Sequence, residues 1–477
     1  MRGRLTLVGL AVVLVAGAAA LPAPLGSASS AISFAQSTLA GATPSHPTAL
    51  EFGPDGRLYV AQVDGGLEAY TLTRSGPNAY AVSATEHIGL IAQIPNHDDD
   101  GTPDPGVTGR QVTGLLATGS ATNPVLYVSS ADPRGSFGGN APTTDTNSGM
   151  VSRLTWTGTA WQQQDLVRGL PRSREDHGPN GLALDPATNT LYLAQGGHTN
   201  AGAPSRDFSY LREYAYSAAI LAIDLSAIGA GPYDLPTLLD DRHPALSGPF
   251  GGDAGRHQAK VVPGSPVRIY APGFRNPYDV VITRAGKLFA IDNGADAGFG
   301  GPPLGAGPGG TCTNAVNEGG THKADSVHLV SGPGYYGGHP NPTRGNTANT
   351  FNRNLPQSPV PAADPVECDP RGPGHNGSLT TLPGSSNGVA EYTASNFGGR
   401  LRGDLVAANF YGNLYRIHLT ATGDGVVKVT TLVANLGLAP LDVATQGDGG
   451  AFPGTVWVAD FVKGTISVFE PSDYTGP

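Results

Sequence analysis

GPNGLALDPATNTLYLAQGG, residues 178–197, holds two short apolar runs, Leu182–Leu184 and Leu191–Ala194, joined by a turn-forming stretch over residues 185–189. Runs of that length flanked by Gly, Pro, Asn and Asp read as adjacent strands. The same unit recurs in both directions along the chain. Upstream lie HPTALEFGPDGRLYVAQVDGGLEAYTL from His46, and QVTGLLATGS with VLYVSSAD and SGMVSRLTW from Gln111. Downstream lie NPYDVVITRAGKLFAIDNG from Asn276, NGVAEYTASNFGGRLRGDLVAANFYGNLYRIHL from Asn387, and APLDVATQGDGGAFPGTVWVADFVKGTISVFE from Ala439. The six passes carry strands and turns without helical periodicity, which indicates a propeller or a solenoid. The spacers vary too much for a solenoid, and radial closure leaves few strand edges exposed. The expectation is an all-β, six-bladed β-propeller over residues 44–472, after a linker (31–43) and before a short tail (473–477). Insertions at Asn140–Asn147, Asp240–Gln258 and Gly300–Thr321 are expected as loops around the central channel on one face.

Residues 1–30 read as a secretory signal peptide. Arg2 and Arg4 precede an apolar run from Leu5 to Ala20, and small residues follow at Gly26–Ser30. The run is too short to span a membrane, Pro22 and Pro24 follow it, and no other stretch is long or apolar enough. A secreted location is the expectation. Charged residues make up 14% of the chain, against ~25% in typical domains, and 69 Gly and 41 Pro point to many turns. A net charge of −10 argues against nucleic acid as a partner. The two cysteines, Cys312 and Cys368, are free to pair in an oxidising compartment.

Chemistry concentrates at two places. DHGPNGLALDP (176–186), followed by NTLYLAQGGHT, brings His177, Asn180, Gln195 and His198 close to strand ends. PGFRNPYDVVI (272–282) sets Arg275 beside Asn276 just before a strand. A general base, amides and a fixed cation are what an alcohol needs to lose a proton and a hydride. The run PNHDDDGTPD (95–104) matches the opening of a calcium loop at Asn96, Asp98, Asp100 and Gly101, with Val107 in place of the closing Glu. Tyr335–Tyr336 and Tyr210–Tyr216 are candidates to line a sugar-sized groove. No nucleophile elbow, Cys-x-x-Cys site or phosphate loop is present.

On these stretches the chain resembles the soluble quinoprotein glucose and sorbosone dehydrogenase family, over roughly residues 44–470. DHGPNGLALDP resembles the family's His-x-x-Gly-x-Leu stretch, and YLAQGG the strand end carrying its active-site Gln. GFRNPYDVV resembles its Gly-x-Arg-Asn stretch; IDNGADAG with DSVHLVSGPGYYGGHP resembles its acidic, Gly-rich blade. The resemblance implies a six-bladed propeller that binds pyrroloquinoline quinone (PQQ) and Ca2+. Such an enzyme oxidises a sugar or alcohol and passes the electrons to an external acceptor. It makes His177 the base and sets Arg275 on the quinone oxygen, with Asn276 and Gln195 positioning the cofactor. For calcium it implies the backbone carbonyls of Gly294 and Ala295, beside the separate Asp98 and Asp100 loop. The chain departs from the family where a Lys and an Arg that grip the quinone carboxylates align with Phe410 and Leu441. Arg344, Arg400 and Arg402 are the candidate replacements. Two other functions suit the same fold: a calcium-dependent lactonase or hydrolase with Asn180, Asn293 and Asp325 as ligands, and a non-catalytic carbohydrate- or protein-binding propeller.

Overall fold

The computed structural model describes residues 31–135, 141–238, 248–320, 322–348, 358–437 and 439–476. The signal segment, Asn140, Asp240 and Thr321 lie outside the described residues. Six sheets follow one another along the chain, each with four antiparallel strands built outward from an inner strand, and blade 2 adds Tyr233–Asp234 in parallel with Trp161–Leu170. The inner strands of blades 1 to 6 are Pro47–Phe52, Gln111–Gly119, Pro179–Asp185, Pro277–Ile282, Ser386–Glu391 and Pro440–Thr445. Each packs against the next, and the last packs against the first, so the ring closes. The expected all-β six-bladed propeller is what the structure shows. Among the described residues the α-helix content is a single turn, Pro342–Gly345, and no helix is long and apolar enough to cross a membrane.

One apolar cluster fills each of the six blade interfaces. Leu58, Tyr80, Trp457 and Val468 lock blade 6 to blade 1, and Phe289, Leu405 and Ile417 lock blade 4 to blade 5. Burying such side chains contributes about 1.5–3 kcal/mol each. The alternation of apolar and polar residues in the six repeats is therefore the imprint of neighbouring sheets on one another.

The last chain segment supplies three strands to blade 6, and an open edge would invite mispairing. Phe34–Thr38 covers that edge, pairing antiparallel with Thr465–Pro471. Residues 31–43, expected as a linker, thus contain the closing strand, and Phe34 packs edge-on against Phe397 at 5.3 Å. The expected tail is also tied down, since Asp473 accepts a hydrogen bond from Asn396 Nδ2 at 3.2 Å.

The two longest loops of blade 4 are joined by a Cys312–Cys368 disulfide, with Cα atoms 5.4 Å apart across 56 positions. Two of the expected face loops dock on each other: Gly251 N donates to Asp145 Oδ1 at 2.8 Å, and Asn147 Nδ2 to His257 O at 2.9 Å.

A shared irregularity converts this scaffold into a site. Every inner strand slips register near its first residues, at Pro47/Ala49, Val112/Gly114, Pro179/Leu182, Pro277/Asp279, Ser386/Val389 and Pro440/Asp442. A bulge re-aims the side chain that falls within it. The residues so displaced include Thr48, Thr113, Asn180, Tyr278, Asn387 and Leu441, and all six line one cavity.

Candidate active site

The cavity has a volume of about 800 Å³ and opens where the six inner strands begin. His177, Arg275 and Asn276 all reach it, although a hundred positions separate the imidazole from the guanidinium. The link between them is Gly196–Gly197, at the end of the second strand of blade 3. Gly197 N donates to Arg275 O at 2.7 Å, while Gly197 O accepts from His177 Nδ1 at 3.0 Å. A Cβ on Gly196 would stand 2.7 Å from Asn276 Oδ1 and 2.9 Å from His177 Cβ, so this close approach requires glycine.

The Gly197 carbonyl can only accept, so Nδ1 carries the proton and Nε2 keeps its lone pair. His177 is buried, with Nε2 lying 3.7 Å from Glu175 and 3.8 Å from Asp176, beyond hydrogen-bond reach. Burial, reinforced by the Arg275 charge, pushes the His177 pKa down to about 3. The imidazole is therefore neutral, with its basic nitrogen open, throughout the neutral range. Burial and the neighbouring Asp176 raise the Glu175 carboxyl well above the usual range. For Asp176 burial acts in the same direction, but the Glu175 hydrogen bond and the Arg172 and Arg275 charges hold its pKa low.

Arg275 is buried and held in place. Its Nε donates to Asn200 Oδ1 at 3.1 Å and one terminal nitrogen to Asp296 at 3.0 Å. Asp292 accepts the backbone N–H groups of Arg275 (3.1 Å) and Asn276 (2.8 Å), and burial pushes its pKa up to about 7.

Around the rim runs a head-to-tail chain of polar side chains. Thr113 donates to Asn180 (2.9 Å), Asn180 to Asn276 (2.9 Å), Asn276 to Asn293 (3.1 Å), and Asn293 to Asp325 (3.1 Å). It ties blades 2, 3 and 4 together and fixes the orientation of each amide. The oxygens of Asn180, Asn293 and Asp325 each accept a hydrogen bond within this chain, and all three residues line the cavity.

Several expected site residues lie elsewhere. Gln195 is fully buried behind the cavity wall, donating to Pro171 O at 3.0 Å. Its side chain turns toward the segment that follows the outer strand of blade 2 and not toward the axis. Asp98 and Asp100 belong to a loop that already holds a cation: Arg134 contacts Asp98 at 2.5 Å and Asp132 at 2.6 Å, and Asn96 Oδ1 is taken by Arg110 at 2.8 Å. Arg134 thus pairs with Asp98, while Asp100 Oδ1 accepts from Thr102 N at 2.9 Å. Gly294 lines the cavity, but the Ala295 carbonyl accepts from Lys323 N at 2.8 Å. Glu175, Asp176 and His177 bring ligand-type atoms within 4.8 Å of one another and are the metal-compatible cluster among the described residues.

The candidate replacement arginines are also absent from the cavity. Arg344 pairs with Glu367 at 2.6 Å inside the wall, and Arg400 and Arg402 line a separate cavity of about 660 Å³. Tyr335, Tyr336, Tyr210, Tyr214 and Tyr216 do not line the site. Its aromatic wall is Tyr278, Phe299, Phe410, Tyr411 and Phe461. Phe410 and Leu441 do stand in the cavity, at the places where the family's cations align. Sequence reasoning missed Lys323, which contributes an ammonium to the wall. Its one signal was the order His-Lys-Ala-Asp immediately before a strand.

His198 lies in the core, 4.2 Å from Tyr214, with neither ring nitrogen hydrogen-bonded, and burial pushes its pKa down to about 4. A histidine depressed below its unfolded value of ~6.5 contributes full stability above that pH and loses it as pH falls toward the folded value. Chemical denaturation of wild type and His198→Phe at pH 7 and pH 5 tests this. The wild type should lose stability relative to the variant at pH 5, and a pH-independent difference would contradict it.

Fold and cavity together define a class: a closed six-bladed propeller with one polar, aromatic-walled cavity at the inner-strand starts. No family model and no curated protein sequence matches the chain. Solved structures do match it. A glucose dehydrogenase is similar at 15% identity and TM-score 0.51, covering 91% of this chain and 99% of that one. The holo PQQ domain of pyranose dehydrogenase from Coprinopsis cinerea matches at 13% and 0.51, covering 92% and 97%. A family AA12 carbohydrate-active enzyme from Trichoderma reesei matches at 12% and 0.53, covering 92% and 96%. At these identities the likeness establishes the fold.

Proposed function

We propose that this protein is a secreted oxidoreductase that removes a proton and a hydride from a hydroxyl-bearing carbon of a sugar-sized substrate, with PQQ as the hydride acceptor and an external molecule as the final one. The observation that carries this reading is the meeting of an open, neutral His177 and a fixed Arg275 in one cavity. The Cys312–Cys368 pair suits an oxidising compartment.

The residues present fit a planar, anionic quinone. The cavity is large enough, Phe410, Tyr411 and Phe461 offer flat apolar faces, and Lys323 and Arg275, the latter paired to Asp296, supply cations in a lining that also carries Glu175, Asp176 and Asp325. When bound, PQQ supplies the two-electron acceptor that no side chain can provide. Arg275, immobilised by Asn200 and Asp296, offers its charge where an oxygen becomes negative, and a donor fixed in advance needs no reorganisation. Asn276, oriented by Asn180 and Asn293, presents a fixed amide beside it. His177 Nε2 takes the substrate hydroxyl proton, and the Nδ1–Gly197 bond keeps the ring in the tautomer that allows this. The adjacent Asp176 carboxylate, whose charge opposes the lowering of the His177 pKa, stabilises the imidazolium that results.

The test is to add PQQ and Ca2+ to the purified protein and follow dye-linked oxidation of aldoses and simple alcohols. Dye reduction that requires PQQ is the expected result. Its absence with every substrate overturns the proposal, and lactone hydrolysis without quinone would point to a hydrolase.

A further inference from the structure

Resting on the quinone reading above, we infer that Lys323 fixes a carboxylate of the ligand that fills the cavity, supplying from a loop of blade 4 the cation that blade 5 lacks. Lys323 is held at its backbone by the 2.8 Å bond from its N–H to Ala295 O, just ahead of the strand Asp325–Leu329. Its side chain is half-buried. It forms part of the wall between the main cavity and an adjoining pocket of about 40 Å³.

The other charges around it are accounted for. Arg275 is engaged by Asp296 and Asn200, Arg371 by Asp369 at 3.0 Å, and His339 by Glu213 at 2.9 Å. Asp325 accepts from Gly294 N, Asn293 Nδ2 and Ser386 N. Among the described residues the Lys323 ammonium has neither a hydrogen bond nor an ion pair. Burial lowers its pKa, the mark of a charge partly removed from water without a partner. Half-burying an ammonium is unfavourable unless an anion meets it. Asp292 attracts the ammonium only from beyond ion-pair distance, so a carboxylate meeting it at contact comes with the ligand. A carboxylate on a flat ring lying against Phe410 and Tyr411 is the chemistry that meets both requirements. The aromatic residue at 410 and the lysine at 323 then form a complementary pair: one gives the ring a face, the other neutralises its charge.

Equilibrium dialysis of the full chain against PQQ tests the inference, with 9,10-phenanthrenequinone as a planar quinone without carboxylates. Lys323→Met is expected to weaken PQQ binding about 10- to 100-fold, as loss of a charge-assisted hydrogen bond does. It should leave phenanthrenequinone binding unchanged. Lys323→Arg, which keeps the charge, should retain most of the PQQ affinity and shows that the site tolerates substitution. Equal PQQ affinity in Lys323→Met and wild type overturns the assignment, as does a loss shared equally by both quinones. Failure of the wild type to bind PQQ at all removes the quinone reading and this inference with it, an outcome distinct from the other two.

Discussion

His177→Ala in the PQQ-loaded protein is expected to lower turnover by about 10²- to 10⁴-fold, the usual contribution of a positioned general base. Under the proposed function PQQ affinity should change little, because the imidazole would act on the substrate hydroxyl. A structural role has to be separated from a chemical one, since His177 Nδ1 also anchors Gly197 O at 3.0 Å. His177→Asn keeps a donor for that carbonyl and supplies no base. If the histidine acts chemically, Asn is as inactive as Ala. Recovery of turnover with Asn would make the residue a strut. Nitrogen NMR of the imidazole gives an independent check: with its pKa pushed down to about 3, the ring should remain the neutral Nδ1–H tautomer at pH 5. An imidazolium at that pH would contradict the geometry described.

Arg275→Met is the second large effect. Loss of a fixed donor facing developing negative charge lowers kcat by about 10²- to 10³-fold. It also removes the ion-pair partner of the partly exposed Asp296, whereas Asn200 Oδ1 keeps the hydrogen bond it accepts from Asp296 N at 2.9 Å. Arg275→Lys should recover only part of the rate, because an ammonium cannot hold Asn200 and Asp296 in the same planar fork. Thermal unfolding of each variant separates destabilisation from lost catalysis. A folded Arg275→Met with wild-type kcat would remove the guanidinium from the reaction.

Why these two residues were legible in sequence, and others were not, follows from where the fold puts information. The repeat of apolar strands with Gly/Asp/Asn turns is imposed by six identical packing problems, so the propeller could be read from Leu58–Ala61, Leu191–Ala194 and Val456–Ala459 alike. His177 and Arg275 stand just ahead of inner strands, and inner strands begin at the cavity. The Pro that opens four of them, Pro47, Pro179, Pro277 and Pro440, marks that boundary, since proline suits the first residue of a strand. Gln195 misled because the same local pattern ends a second strand, where its side chain turns toward the segment after the outer strand of blade 2.

The Asp98–Asp100 loop misled for a different reason. Its carboxylates are spaced for a cation, and Asp98 and Asp104 pair with Arg134, some 30 positions away. Lys323 was invisible for the converse reason: that it stands in the cavity wall without an ion pair among the described residues is shown only by the three-dimensional inventory of its neighbours. The closing strand Phe34–Thr38 carried a pattern too short to be distinguished from a linker before its pairing with Thr465–Pro471 was known.

Under the proposed function His177 and Arg275 serve one hydride transfer in one cavity. Stopped-flow reduction of PQQ bound to the full chain, driven by D-glucose or by its C1-deuterated form in a single turnover, tests that claim most directly. The expected result is quinone reduction that slows with deuterium by a primary isotope effect and collapses in both His177→Ala and Arg275→Met. Bound quinone that no aldose or alcohol reduces, or reduction at equal rates in wild type and both variants, would contradict it.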